Sequence, residues 1–242
     1  DPVLPPRLFA DPVFLRGVMV AFVSSLGLFG ATFLLPLYFQ LVVGVDASSS
    51  GLLVVPFLAA TVAGAYVSGQ VARRLGRTRV ILIVALSLAT AGLLALTMLG
   101  PLWFVLVGST VLGVGLGATM PTVLMTVQNA APPSDVGAAT GSLLFLRSMG
   151  GAFGSTVVGT VLTLQFNAGL AAAGLAAAVD LGSLRGDGLG AVPIVQARAA
   201  LVPGFALSFG LCAALMAAAI LIARGMKDQV LRSGLTPTPP AH

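Results

Sequence analysis

The chain has 242 residues, of which 57% are apolar and only 8% charged, with a mean hydropathy of +1.06. An ordinary soluble domain carries roughly 25% charged residues, so a water-soluble fold, a disordered chain and a coiled coil are all excluded. The formal net charge of +5 is spread between apolar runs and not gathered on one polar face, which excludes a nucleic-acid-binding module.

Crossing a hydrocarbon core of about 30 Å takes about 20 mostly apolar residues, and six stretches qualify. They run from Gly17 to Gln40, Ser50 to Ala72, Val80 to Leu99, Leu102 to Val127, Val136 to Phe166 and Ala200 to Ala223. Residues 1–16 form a lead-in that starts at Asp1 without a Met, which predicts a processed protein or part of a longer one. The links are short except for 167–199, which is predicted to be an external loop. Its Ala- and Gly-rich run Gly169 to Val179 is too short to span and is read as a possible surface helix. The tail 224–242 turns polar, ends in prolines, and is expected to be disordered.

Orientation follows from the arginines and lysines, which concentrate in cytoplasmic loops. Arg7 and Arg16 precede the first span, Arg73, Arg74, Arg77 and Arg79 follow the second, and Arg224, Lys227 and Arg232 follow the sixth. These nine share one side, so both termini are predicted to be cytoplasmic and their charge favours contact with anionic lipid.

Several chemistries lack their essential groups. His242 is the only histidine, which removes a Ser-His hydrolase and a His-containing zinc site, and no Walker-type phosphate loop occurs. The expectation is a protein that is not an enzyme and needs no cofactor or metal. Glutamate is absent, and every aspartate falls in a terminus or link, so no span contains the carboxylate or imidazole that proton coupling normally uses. The lone Cys212, in an apolar run, reads as a small hydrophobe.

Two constellations remain. The first, Gly69-Gln70-Val71-Ala72-Arg73-Arg74-Leu75-Gly76-Arg77-Thr78, joins the second and third spans. The second runs from Gln128 to Gly154. Within it, Pro132 and Pro133 stop one helix, and Ser134 with Asp135 suits the start of the next. Gly137 with Gly141, and Gly150 and Gly151 with Gly154, supply small residues for close helix contact. Arg147 lies inside the fifth span, where a guanidinium costs about 2.5 kcal/mol or more unless it finds partners or water.

These residues carry a resemblance. The first segment is similar to the Gly-x-Leu-Ala-Asp-Arg-x-Gly-Arg-Lys loop of the major facilitator superfamily, with Arg73 in place of the acid and Thr78 in place of a basic residue. Gln128-Asn129, Pro132-Pro133 and the run from Gly141 through Arg147 to Gly150-Gly151 and Gly154 resemble the penultimate helix of its 14-span drug:proton antiporters. Leu35-Pro36-Leu37-Tyr38-Phe39-Gln40 and Gly113-x-Gly115-x-Gly117 before Met120-Pro121 add to it.

The resemblance implies an all-α integral membrane fold, a six-helix bundle matching the C-terminal half of such a transporter and built as inverted three-helix repeats. It also implies a place in the cell membrane, proton-coupled export of lipophilic or cationic drugs, and a missing N-terminal half as partner. Spans one, two, four and five would then line the cavity while three and six face lipid. The implied lining groups are Ser24, Ser25, Phe29, Thr32 and Phe33 on span one and Met120, Thr122, Met125 and Gln128 on span four. Phe145 and Arg147 on span five join them. Gly69, Arg73, Arg74, Gly76 and Arg77 are the implied gating loop. Two other classes stay open: a permease subunit driven by a separate ATPase, and a structural or regulatory membrane subunit.

Overall fold

A computed structural model of the chain describes residues 6–172 and 194–226. Among these residues there is no strand, and six long helices follow one another: α1 (Pro12–Tyr38), α2 (Ala47–Leu75), α3 (Thr78–Thr97), α4 (Leu102–Ala130), α5 (Val136–Ala172) and α6 (Ile194–Arg224).

Each helix overlaps the stretch expected for it, though α1 and α3 each stop two residues short of Gln40 and Leu99, and the ends differ where hydrogen bonding, not apolarity, sets them. α1 starts five residues before Gly17, because Asp11 caps it and accepts from the backbone N–H groups of Val13 (2.7 Å) and Phe14 (3.1 Å). α2 starts at Ala47 because Asp46 accepts from the N–H groups of Ser48 (3.1 Å) and Ser49 (3.3 Å). Both are N-cap arrangements that satisfy orphan helix donors. α2 stops at Gly76, whose φ of 66° is the left-handed conformation that suits glycine at a helix C-terminus.

The link expected over 167–199 is helical at both edges, since α5 continues to Ala172 and α6 begins at Ile194. The short surface helix considered for Gly169 to Val179 falls largely outside the described residues, as does the tail from residue 227 onward.

Five of the six helices are long and apolar enough to cross a membrane. The exception, α5, has 37 residues and carries Arg147, Gln165 and Asn167 along with many glycines and hydroxyls. Polarity, not length, sets it apart.

The packing repeats across two helix triplets. α1 lies against α5 and α6, and the corresponding α4 lies against α2 and α3; α3 meets α6, and α1 meets α4. Exchanging α1 with α4, α2 with α5 and α3 with α6 reproduces the same set of neighbours. This is the pattern that inverted three-helix repeats produce.

Glycines set the close approaches. On α4, Gly113 and Gly117 face the backbone of α2 at Phe57 and Thr61, whereas Gly115 faces α3, where an added Cβ would come within 2.6 Å of the Ala85 carbonyl oxygen. Residues two apart on a helix point about 200° from each other. The Gly-x-Gly-x-Gly run therefore lets α4 pass between two neighbours. α1 and α4 are accordingly the most enclosed of the candidate spans and α2 the least.

Candidate substrate cavity

α1 and α4 meet through stripes of matching spacing. Ala21, Ser24, Ser25 and Leu28 on α1 face Leu116, Thr119, Met120 and Val123 on α4, and Arg147 of α5 closes the space between them. Each stripe follows the i, i+3, i+4, i+7 rule for one helix face. Its volume is about 20 Å³, enough for one water molecule.

The hydroxyls that border it give their protons to their own helices. Ser24 and Ser25 donate to the Ala21 carbonyl oxygen at 3.3 and 2.6 Å, and Thr119 donates to that of Gly115 at 2.8 Å. Their oxygens therefore remain as acceptors toward the cavity, beside a guanidinium with five N–H donors. Such a space suits a hydrogen-bonding guest or an anionic group.

Its depth is consistent across the three helices. Arg147 stands about 16 Å from the start of α5, Ser25 about 20 Å from the start of α1, and Met120 about 15 Å from the end of α4, at ~1.5 Å per residue. All three ends lie on the expected cytoplasmic side. Half of a hydrocarbon core is about 15 Å, so with those ends at the membrane surface the cavity would sit near mid-membrane.

Of the groups singled out from the sequence, Ser24, Ser25, Met120 and Arg147 come together here. Thr32 continues the α1 stripe one turn further, exposed, and donates to the Leu28 carbonyl oxygen. Phe29 and Phe33 extend beyond the cavity at about two-fifths exposure, and the Phe29 ring covers Gly151, where a Cβ would lie 2.6 Å from ring carbon Cδ2.

Thr122 is buried and bonded to the Ala118 carbonyl oxygen, and Met125 is half-buried; neither lines the space. Gln128 donates from Nε2 to Thr140 Oγ1 at 3.1 Å and so ties the end of α4 to the start of α5. Phe145, two residues from Arg147, points about 200° away from it and is 53% exposed. Thr119 was missed by sequence reasoning. Its only signal was its place one turn before Val123 on the Met120 face.

The packing glycines of α5 divide in the same way. Gly150 and Gly154 lie on the α1 backbone at Phe22 and Leu26. Gly137 and Gly141 have no neighbour within 4 Å of an added Cβ, so a side chain there would meet open space.

In the α2–α3 loop, Gly76 forms the left-handed cap, while Arg73, Arg74 and Arg77 are exposed and Gly69 has open space around it. Two further arginines gather the same end of the bundle around the C-terminus of α6. Arg16 donates to the Gly225 carbonyl oxygen, and Arg79 donates to that of Arg224.

The family profile described as Major Facilitator Superfamily matches residues 2–155. The chain is 32% identical over 168 residues to the multidrug transporter protein MdtP of Bacillus subtilis, covering 68% of this chain and 31% of that protein. It is 33% identical over 165 residues to a tetracycline resistance determinant of Streptomyces rimosus, covering 67% of this chain and 48% of that protein. An MFS-type efflux transporter, pyiT of Pyricularia grisea, is 28% identical over 170 residues, covering 69% and 28%. The chain thus spans about a third to a half of the first two relatives it matches. With a helical, multi-pass membrane architecture and a family of transporters, not enzymes, behind more than half of its length, the chain belongs to the major facilitator superfamily.

Proposed function

We propose that this chain is the C-terminal six-helix half of a secondary active efflux transporter that exchanges protons for lipophilic or cationic drugs. Its substrate path would pass the space between α1, α4 and α5 as the two halves rock about it. The observation that carries this reading is a mid-depth space that joins Arg147 to hydroxyl acceptors from two helices. A charge at that depth is costly and marks a transport pathway by default.

Arg147 stays protonated and cannot itself carry a proton. No carboxylate lies in α1 to α6, so the proton-carrying acid belongs to the other half. Arg147 then holds that acid ionised, or holds the carbonyls of neighbouring helices, in one of the two access states. Exposed Phe29 and Phe33 supply aromatic faces for lipophilic cations. The distribution of arginines supports a cell-membrane protein with both termini cytoplasmic.

The test is Arg147→Ala in the intact transporter, with drug efflux measured in cells and membrane insertion checked by immunoblot. Export is expected to be lost with insertion intact, and Arg147→Lys is expected to restore part of it. Unchanged export in Arg147→Ala would reduce Arg147 to a packing residue.

A further inference from the structure

α2 and α3 both pack on α4 but touch each other only sparsely, and an apolar groove of about 240 Å³ lies between them. One wall is Val67, Val71 and Leu75 of α2, and the other is Val80, Val84 and Leu88 of α3. The one hydroxyl on its lining, Ser68, is satisfied by the Ala65 carbonyl oxygen at 3.0 Å. The groove therefore makes no polar demand on an occupant. Along α2 it extends from Gly64 to Leu75, about 16 Å at ~1.5 Å per residue, which is the depth of one leaflet.

Its loop end is basic by helical register. Arg74 lies three residues after Val71 and seven after Val67 and so continues the α2 stripe toward the membrane surface, while Arg77, the extended residue just before α3, adds a second positive charge in the loop. No acid occurs anywhere between Asp46 and Asp135, so α2, α3 and α4 contribute no counter-charge. Arg74 is exposed and has no hydrogen bond or ion pair among the described residues.

We propose that this groove is a binding site for an anionic glycerophospholipid of the bilayer, with an acyl chain lying between α2 and α3 and the headgroup phosphate on Arg74. A slot this narrow suits a thin flexible chain better than a helix about 10–12 Å across. The basic end selects a negative headgroup.

The intact protein, purified in mild detergent, is titrated with dioleoylphosphatidylglycerol or dioleoylphosphatidylcholine, and bound lipid is counted by native mass spectrometry. The first phosphatidylglycerol is expected to bind about fivefold more tightly than phosphatidylcholine, the factor expected for one arginine near the surface. Arg74→Gln should erase that preference, and Val84→Trp, which fills the groove, should remove the first binding event for both lipids. Should Arg74→Gln not fold, Leu75→Trp in a Trp103→Phe background carries the test. Its fluorescence should be quenched by tail-brominated phosphatidylglycerol at lower mole fraction than by brominated phosphatidylcholine. Equal affinity for the two lipids, binding indifferent to Val84→Trp, or a cross-linker at Val84 that captures a protein helix and no lipid would each overturn the proposal.

Discussion

Four of the seven glycines of α5, Gly137, Gly141, Gly150 and Gly154, allow a test of close helix packing within a single helix. An added Cβ at Gly150 would sit 2.5 Å from the Phe22 carbonyl oxygen, and one at Gly154 would sit 2.7 Å from Leu26 Cα. Comfortable contacts lie near 3.5 Å or beyond, so α1 and α5 must part by roughly 1 Å along this seam. Overpacking of this kind costs about 1–3 kcal/mol per site, against a gain of about 0.8–1.0 kcal/mol when Ala replaces Gly in a helix. The two sites are one turn apart, so the separation forced by one relieves the other, and the double variant should cost less than twice the single.

At Gly137 and Gly141 nothing opposes the helix gain. The pair Gly150→Ala/Gly154→Ala is therefore expected to melt several degrees below the parent, and Gly137→Ala/Gly141→Ala at or slightly above it, at about 2–4 °C per kcal/mol. Cys212, the only cysteine and fully buried, reports the transition through a thiol-reactive fluorophore. Equal melting of the two double variants would refute the reasoning, because it would mean that the seam has no packing constraint the other face lacks.

Asp46 should govern the acid response of the start of α2. The hydroxyl and backbone N–H of Ser49 donate to its carboxylate and hold it below the ordinary value of 3.8. A depressed carboxylate contributes stability that is complete above its unfolded value and is lost as pH falls through its folded one. The protection factors of the Ser48 to Ser50 amides, observed exchange divided into the intrinsic rate at each pH, should therefore be flat above about pH 5 and fall below 3.8, whereas Asp46→Asn removes the fall. A change in protection between pH 5 and 7 would contradict it. Arg16→Met and Arg79→Met each remove a guanidinium from the α6 C-terminal carbonyls, with an expected loss of about 0.3–1 kcal/mol apiece. Earlier protease cleavage after Arg224 is the readout, and cleavage unchanged in both variants would count against the clamp.

The helix ends show where sequence reasoning stops. Apolar length locates a membrane helix, but hydrogen bonding continues it into the interface. α6 thus begins at Ile194, inside the expected loop, and α5 runs six residues past Phe166. The caps that end α2 were visible in principle: Asp46 precedes a serine run, and Gly76 follows the last arginine pair.

By itself the sequence determined the class, because 8% charge leaves no soluble option. It determined the helix count as well, because burying backbone in lipid requires helices long enough to span. It also placed Arg147, and the absence of any acid, within the spans. Only the tertiary structure decided which small and polar residues face what. Gly150 and Gly141 look alike in a string of letters, yet one touches the α1 backbone and the other faces open space. Phe145 and Arg147 are near neighbours in the chain, yet a 100° step per residue sends them to opposite sides of α5, and only Arg147 meets Ser25 and Thr119. Which face of a nearly uniformly apolar helix points inward is set by its neighbours and not by its own periodicity.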